Sequence, residues 1–209
     1  MALEKLYKLL NSEFEDNIPD WIFECLSNIP KSWEMTLFGK KQRNILVKIL
    51  DKLDSLENLN EILSPIKVHI FQFSRLSSIN RIKVVIIGQD PYPNRNHAHG
   101  LAFSSLDSTI PASLKNIYKC LIKCDLINKT PKSSDLSIWS KQGVLLLNGA
   151  LTTVVGSSNV HKELWKDYVN LIVKKISEHA LKKDRTLIFM LWGNEAQKKL
   201  NSLMNLILY

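Results

Sequence analysis

No apolar run in this sequence is long enough to cross a bilayer. The longest, such as "KVVIIG" and "GVLLLNGAL", fall well short of the roughly 18 to 20 residues that a spanning helix needs. Membrane association is therefore not expected. The N-terminal stretch "MALEKLYKLLNSEFEDN" contains acids and lacks an apolar segment with a small-residue cleavage site, so it does not read as a signal or transit peptide. The expected location is intracellular, in the cytoplasm or, in a eukaryote, the nucleus. Cysteine is scarce. Cys25, Cys120 and Cys124 form an odd set without metal-like spacing to a histidine, which excludes a disulfide framework and a zinc site as readings. Cys120 and Cys124, four apart in an expected helix, read as a packed pair of reduced thiols. Repeats and low-complexity linkers are also lacking, so a single domain over 1–209 is expected, with a helical part at about 1–65 and an α/β core at about 66–209.

What is present is the composition of a folded chain: 45% apolar and 23% charged residues, in a length of 209 that can bury a substantial core. Twenty-eight basic against 20 acidic residues give a formal charge of +8, which favours a polyanionic partner such as nucleic acid. The lysines are scattered rather than massed, so charge alone carries little.

The first 30 residues read as two short helices, "SWEMTLFGKKQRNILVKILDKL" as one longer amphipathic helix, and "SLENLNEIL" as a further helix closed by Pro65. From Arg81 the texture changes. "KVVIIG", "GVLLLN" and "TLIFMLWG" are strand-like. They alternate with "PASLKNIYKCLIKC", a helix opened by Pro111, and with the long helix "HKELWKDYVNLIVKKISEHALKK". Strands that are apolar on both faces and separated by helices indicate a parallel sheet covered on both sides. The expected fold class is α/β, a three-layer α/β/α arrangement around a short, mostly parallel sheet.

In such sheets functional groups gather beyond the C-terminal strand ends. These ends carry Gln89, Asp90 and Tyr92; then Asn148; then Trp192, Gly193 and Asn194. Asp90 follows a Gly-Gln pair and precedes Pro91, which holds the turn. A carboxylate there acts as a base, orients a water or stabilises a cation, or it simply caps the turn. Phe103 in "HGLAFSS" pairs with Tyr92 as an aromatic slot for a planar ring, or both belong to the core. Asn148 carries a donor and an acceptor, enough to read a two-point hydrogen-bonding edge, or it forms a turn. Together these groups describe a site for chemistry on a nucleobase.

The segments "VVIIGQDPYPNRNHAHGLAFS", "IPASLKNIYK", "WSKQGVLLLNGALT" and "LWGNEAQKK" resemble the successive signature segments of family 1 uracil-DNA glycosylases, in order and spacing, over roughly Ser32 to Lys199. The resemblance implies hydrolysis of the N-glycosidic bond of uracil in DNA during base excision repair, with no metal or cofactor. Asp90 would stabilise the oxocarbenium-like sugar and position the attacking water. Tyr92 would exclude the thymine methyl, Phe103 would stack on the flipped uracil, and Asn148 would hydrogen-bond its polar edge and reject cytosine. The main chain around Gln89 would help hold the base. Pro111 and Ser113 would belong to the loop that grips the DNA backbone. The implied partner is uracil-containing DNA, single- or double-stranded, and the implied state is a monomer.

Two departures from the family pattern stand out. Pro93 occupies a position where cellular members usually have His, and "NRNH" replaces a Gly-rich stretch. The family also carries a later strand ending in His-Pro-Ser-Pro-Leu, whereas "NLILY" at 205–209 reads like the start of that strand with no His after it. None of His69, His97, His99, His161 and His179 matches that position, and His99 takes a structural role. Losing one such donor typically costs about 10²- to 10³-fold in rate, so impaired activity is the expectation for this chain. The competing readings are a non-catalytic DNA-binding or replication-accessory protein on the same fold, and a glycosylase for another damaged base.

Overall fold

The computed structural model describes residues 2–193 and 197. Two helices open the chain, α1 (Ala2–Glu13) and α2 (Asp20–Leu26). Leu6 and Leu10 lie one turn apart on α1 and are fully buried. The single helix expected over 32–53 is two, α3 (Glu34–Phe38) and α4 (Lys40–Glu57). They part at Gly39, where the backbone turns extended and a Cβ would lie 2.7 Å from Gln42 Oε1 and 2.8 Å from the Met35 carbonyl oxygen. The helix expected over 55–63 does not form either. α4 runs on to Glu57, Asn60 adopts a left-handed φ of 64°, and Leu63 and Ser64 make a short strand, β1 (Leu63–Ser64). Asn tolerates that conformation, and it turns buried Leu63 onto an extended path.

The helix α5 (Gln72–Leu76) leads to β2 (Val84–Gly88), followed by α6 (Ala112–Lys123), α7 (Ser137–Lys141) and β3 (Val144–Asn148). Then come β4 (Thr153–Val154), α8 (Lys162–Leu181) and β5 (Ile188–Met190). The main sheet has the order β3-β2-β5, with both pairs parallel, and β1 pairs antiparallel with β4 in a separate two-stranded ladder. Val85, Ile86 and Ile87 of β2 and Leu145, Leu146 and Leu147 of β3 are buried on both faces, as continuous apolar runs demand. β5 differs from expectation. Phe189 packs on the core, but Ile188 and Met190, which project from the opposite face of the strand, are exposed, so β5 alternates where an all-apolar buried run was expected.

α1, α3, α4 and α8 pack on one another, while α5 and α7 pack on β3. Phe71 centres the core, its ring edge-on to Phe38, Trp165 and Tyr168, and the Tyr168 hydroxyl donates to the Leu37 carbonyl at 3.0 Å. Cys25 is buried, and all three cysteines are free thiols. Cys120 and Cys124 are exposed rather than packed: α6 buries Leu114 and Tyr118, Cys120 two residues beyond Tyr118 falls near the opposite face, and Cys124 caps the end of the helix. No described helix is long and apolar enough to cross a membrane.

Candidate active site

The register of the sheet builds the site. Gly88, the last residue of β2, lies opposite Asn148, the last residue of β3. A Cβ at Gly88 would run into the Asn148 carboxamide oxygen and sit 2.8 Å from the Ala102 Cβ, so glycine is what lets that carboxamide fold over the strand end. Asn148 is only 6% exposed, yet none of the side-chain hydrogen bonds among the described residues engages its carboxamide. The Ala102 N–H donates to the Leu146 carbonyl at 3.2 Å and ties the segment of Phe103 to β3. Phe103 adopts a left-handed φ of 63°, strain that a bulky residue carries only where its surroundings hold it. Its ring stands edge-on to Trp192, 5.4 Å between centroids and 67° between planes.

Asp90 stands two residues beyond Gly88 and is half-buried. Its Oδ2 accepts the main-chain N–H of Asn159 at 2.7 Å, and the Asn159 side-chain oxygen accepts from Gln89 Nε2, also at 2.7 Å. Burial raises the Asp90 pKa above the ordinary carboxylate value, and the N–H groups of Asn159 and of Asp90 itself oppose that rise. The whole turn is tied down. The Ala150 N–H donates to the Gln89 carbonyl at 3.1 Å, Ser64 Oγ to the Tyr92 carbonyl at 2.7 Å, and the Gly156 N–H to the Pro93 carbonyl at 2.9 Å.

The Tyr92 hydroxyl donates to the Phe103 carbonyl at 3.2 Å or shares a proton with Ser113 Oγ at 2.7 Å. Burial raises its pKa. Ser113 is the second residue of α6, and Pro111 is the N-cap, whose side chain makes no capping bond. The first amides of α6 are therefore left for a partner beside Ser113.

The sequence-predicted residues thus converge. Asp90, Tyr92, Phe103 and Asn148 gather at the C-terminal ends of β2 and β3, with Gln89 on their rim and Ser113 linked through Tyr92. Asn194 and the stretch 205–209 lie outside the described residues. The histidines turn elsewhere: His99 to Ser104 at 2.6 Å, His161 to Thr152 at 3.0 Å, His179 to Asn80 at 2.8 Å, and His97 toward Asp107 at 3.7 Å. Among the described residues no group of three or more His, Cys, Asp or Glu side chains is arranged to hold a metal. Sequence reasoning missed Asn159. The only signal was an Asn in the turn-rich run "GSSNVH", and it gave no hint that its partners lie about 70 positions away.

Residues 75–208 match the profile of the "Uracil DNA glycosylase superfamily". A uracil-DNA glycosylase of Francisella tularensis subsp. tularensis is 41% identical over 170 residues, 80% of this chain and 76% of that protein. One from Francisella philomiragia subsp. philomiragia is 40% identical over 172 residues, 81% of this chain and 77% of the relative. The crystal structure of mimivirus uracil-DNA glycosylase superposes with a TM-score of 0.75 at 30% identity, covering 86% of this chain and 68% of that one. By sequence profile, relatives and fold together, the chain belongs to the uracil DNA glycosylase superfamily.

Proposed function

We propose that this protein is a DNA repair glycosylase that hydrolyses the N-glycosidic bond of uracil in DNA and leaves an abasic site. The observation that carries the reading is the convergence of a half-buried carboxylate, Asp90, a buried carboxamide, Asn148, and a strained aromatic, Phe103, at one end of the sheet of a chain of this family. In the reaction the bond between the sugar C1′ and the base N1 breaks, its electron pair leaving with the base. A water oxygen bonds to C1′ and loses a proton, and the departing base takes one up, so that free uracil and an abasic sugar result. Asp90 as carboxylate stabilises the cationic sugar and orients that water. Asn148 pairs with the polar edge of uracil, Phe103 stacks on its face, and the Tyr92 ring, fixed through its hydroxyl, stands where a thymine methyl would have to go. The main chain at Gln89 completes the cradle. Ser113 and the first amides of α6, which Pro111 opens, take a backbone phosphate.

The partner is uracil-containing DNA, engaged by a single-domain monomer. A pure DNA binder has no use for a half-buried carboxylate beside phosphates, which sets the non-catalytic reading behind this one. The test is release of free base from single- and double-stranded oligonucleotides carrying uracil, thymine or cytosine at one position. Release of uracil alone is expected. Release of none by the folded chain, or of all three alike, contradicts the proposal.

A further inference from the structure

The loop between β4 and α8 reaches the turn of Asp90 at two points, Gly156 on the Pro93 carbonyl and Asn159 on Asp90 and Gln89, and Asn159 alone touches the carboxylate. Asn159 stands at a left-handed φ of 64°. In that conformation its N–H points to Asp90 Oδ2 and its side-chain oxygen takes the Gln89 amide, both at 2.7 Å. The loop is itself fixed on both sides. Thr153 Oγ1 donates to the Ser157 carbonyl at 2.6 Å, the Val155 N–H to the Ile62 carbonyl at 2.8 Å, and the Gly156 N–H to the Pro93 carbonyl at 2.9 Å. At its far end buried His161 is held by Thr152, which also accepts from Trp165 Nε1 at 2.6 Å. A carboxylate rotates freely about its last bond, and one strong charge-assisted contact from a rigid loop removes that freedom.

We propose that Asn159 is a positioning residue, whose main-chain N–H, aimed by the left-handed backbone, holds one Asp90 oxygen so that the other faces the reacting sugar. This rests on Asp90 being the catalytic carboxylate. The contact comes from the main chain, so what the position requires is a residue that adopts the left-handed conformation; the bond to Gln89 is secondary. Few ionisable groups share the neighbourhood. The facing loop carries His161, turned to Thr152 and within reach of the Glu61 charge, and is followed by Lys162; the segment of Asp90 carries Tyr92, bound to Phe103 and Ser113, exposed Arg95, and His97 beside Asp107.

Asn159→Gly keeps the N–H and the left-handed backbone, Asn159→Ala strains it, and the β-branched Asn159→Val opposes it most. Two readouts apply to the full chain, with folding checked by thermal melting: single-turnover uracil release, and the Asp90 titration followed by carboxyl carbon NMR and assigned with Asp90→Asn. Asn159→Gly is expected to stay within about twofold of the unmodified chain in rate, with its Asp90 titration unmoved. Asn159→Val is expected to lose about 10- to 100-fold in the saturating single-turnover rate, with the enzyme concentration giving half that rate within about twofold, and its Asp90 titration moves up as the N–H is lost. Asn159→Ala falls between and replaces Asn159→Val if that variant does not fold. A valine variant unchanged in both readouts overturns the proposal, as does a glycine variant that falls as far as valine. Absence of uracil release from the unmodified chain would refute the glycosylase reading instead, and the titrations alone would then decide the role of Asn159.

Discussion

Ahead of β2 and β5 the chain is held by a charged side chain spent on the backbone, whereas at the C-terminal ends of β2 and β3 polar side chains lie in a pocket and keep capacity to spare. Arg185 donates through Nη1 to the carbonyls of Asn80 and Ile82, at 2.7 and 3.2 Å, and through Nη2 to that of Ile79 at 3.1 Å. It lines a groove of about 400 Å³ with exposed Arg81 and Lys83, so charge there meets water freely. At the opposite end Asp90 and Asn148 are drawn out of water, no side-chain hydrogen bond among the described residues engages the Asn148 carboxamide, and left-handed backbone, which at the first end falls to Asp184 and Gly143, here includes the bulky Phe103. The same sheet therefore ends in a clamp on one side and in a stressed polar pocket on the other. A strained aromatic beside a buried carboxamide and a half-buried carboxylate is what distinguishes the end to which the proposal assigns the chemistry.

The largest break in this symmetry is expected from Asp90→Asn, which removes the charge that offsets the cationic sugar. Single-turnover uracil release should fall by about 10³-fold. The same variant should melt at a higher temperature at neutral pH. Because burial raises the folded pKa of Asp90, its contribution to stability is fully present below the unfolded value and is lost as pH rises through the folded one, so an uncharged isostere removes a penalty. By the same sign, uracil release in the unmodified chain should decline as pH falls through a value above the ordinary aspartate pKa of about 3.9, measured as kcat/KM against pH. Replacing Phe103 by Ala should cost about 5- to 150-fold in kcat/KM, the worth of about 1–3 kcal/mol of stacking. Tyr92→Ala should retain uracil release and gain thymine release. Uracil release without any thymine release would remove Tyr92 from the pocket. At the other end Arg185→Met should leave uracil release within about twofold and lower stability by about 1–2 kcal/mol in urea unfolding, since it strands carbonyls that are partly solvated.

Much of the chemical end was legible because its signals are local. A β-branched run that stops at Gly88 is a buried strand, and the polar residues just past it, Asp90 and Asn148, belong at the strand ends of a parallel sheet. α8 was legible for a similar reason, its apolar spacing lasting over 20 residues. The failures were of three kinds. Gly39 sat inside an apolar pattern that continued across it, so periodicity joined two helices that a close backbone approach separates. The β1–β4 ladder, two residues a side, has no period to read, and it takes Leu63 out of the helix expected over 55–63, the rest of which is the end of α4 and a turn. Asn159 failed for the reason that matters most to the site: its partners Gln89 and Asp90 are near only once the chain is folded.

The most direct test of the contrast uses the Asp90→Asn chain, so that substrate stays intact, and maps its contacts with a uracil-containing oligonucleotide by amide NMR. Perturbations at Gly88, Phe103, Asn159 and the Asn148 carboxamide, with Gly143 and Thr186 unmoved, are the predicted result. Perturbations centred on Gly143, Thr186 and Arg185 instead would contradict the assignment of the base pocket to the C-terminal ends of the strands.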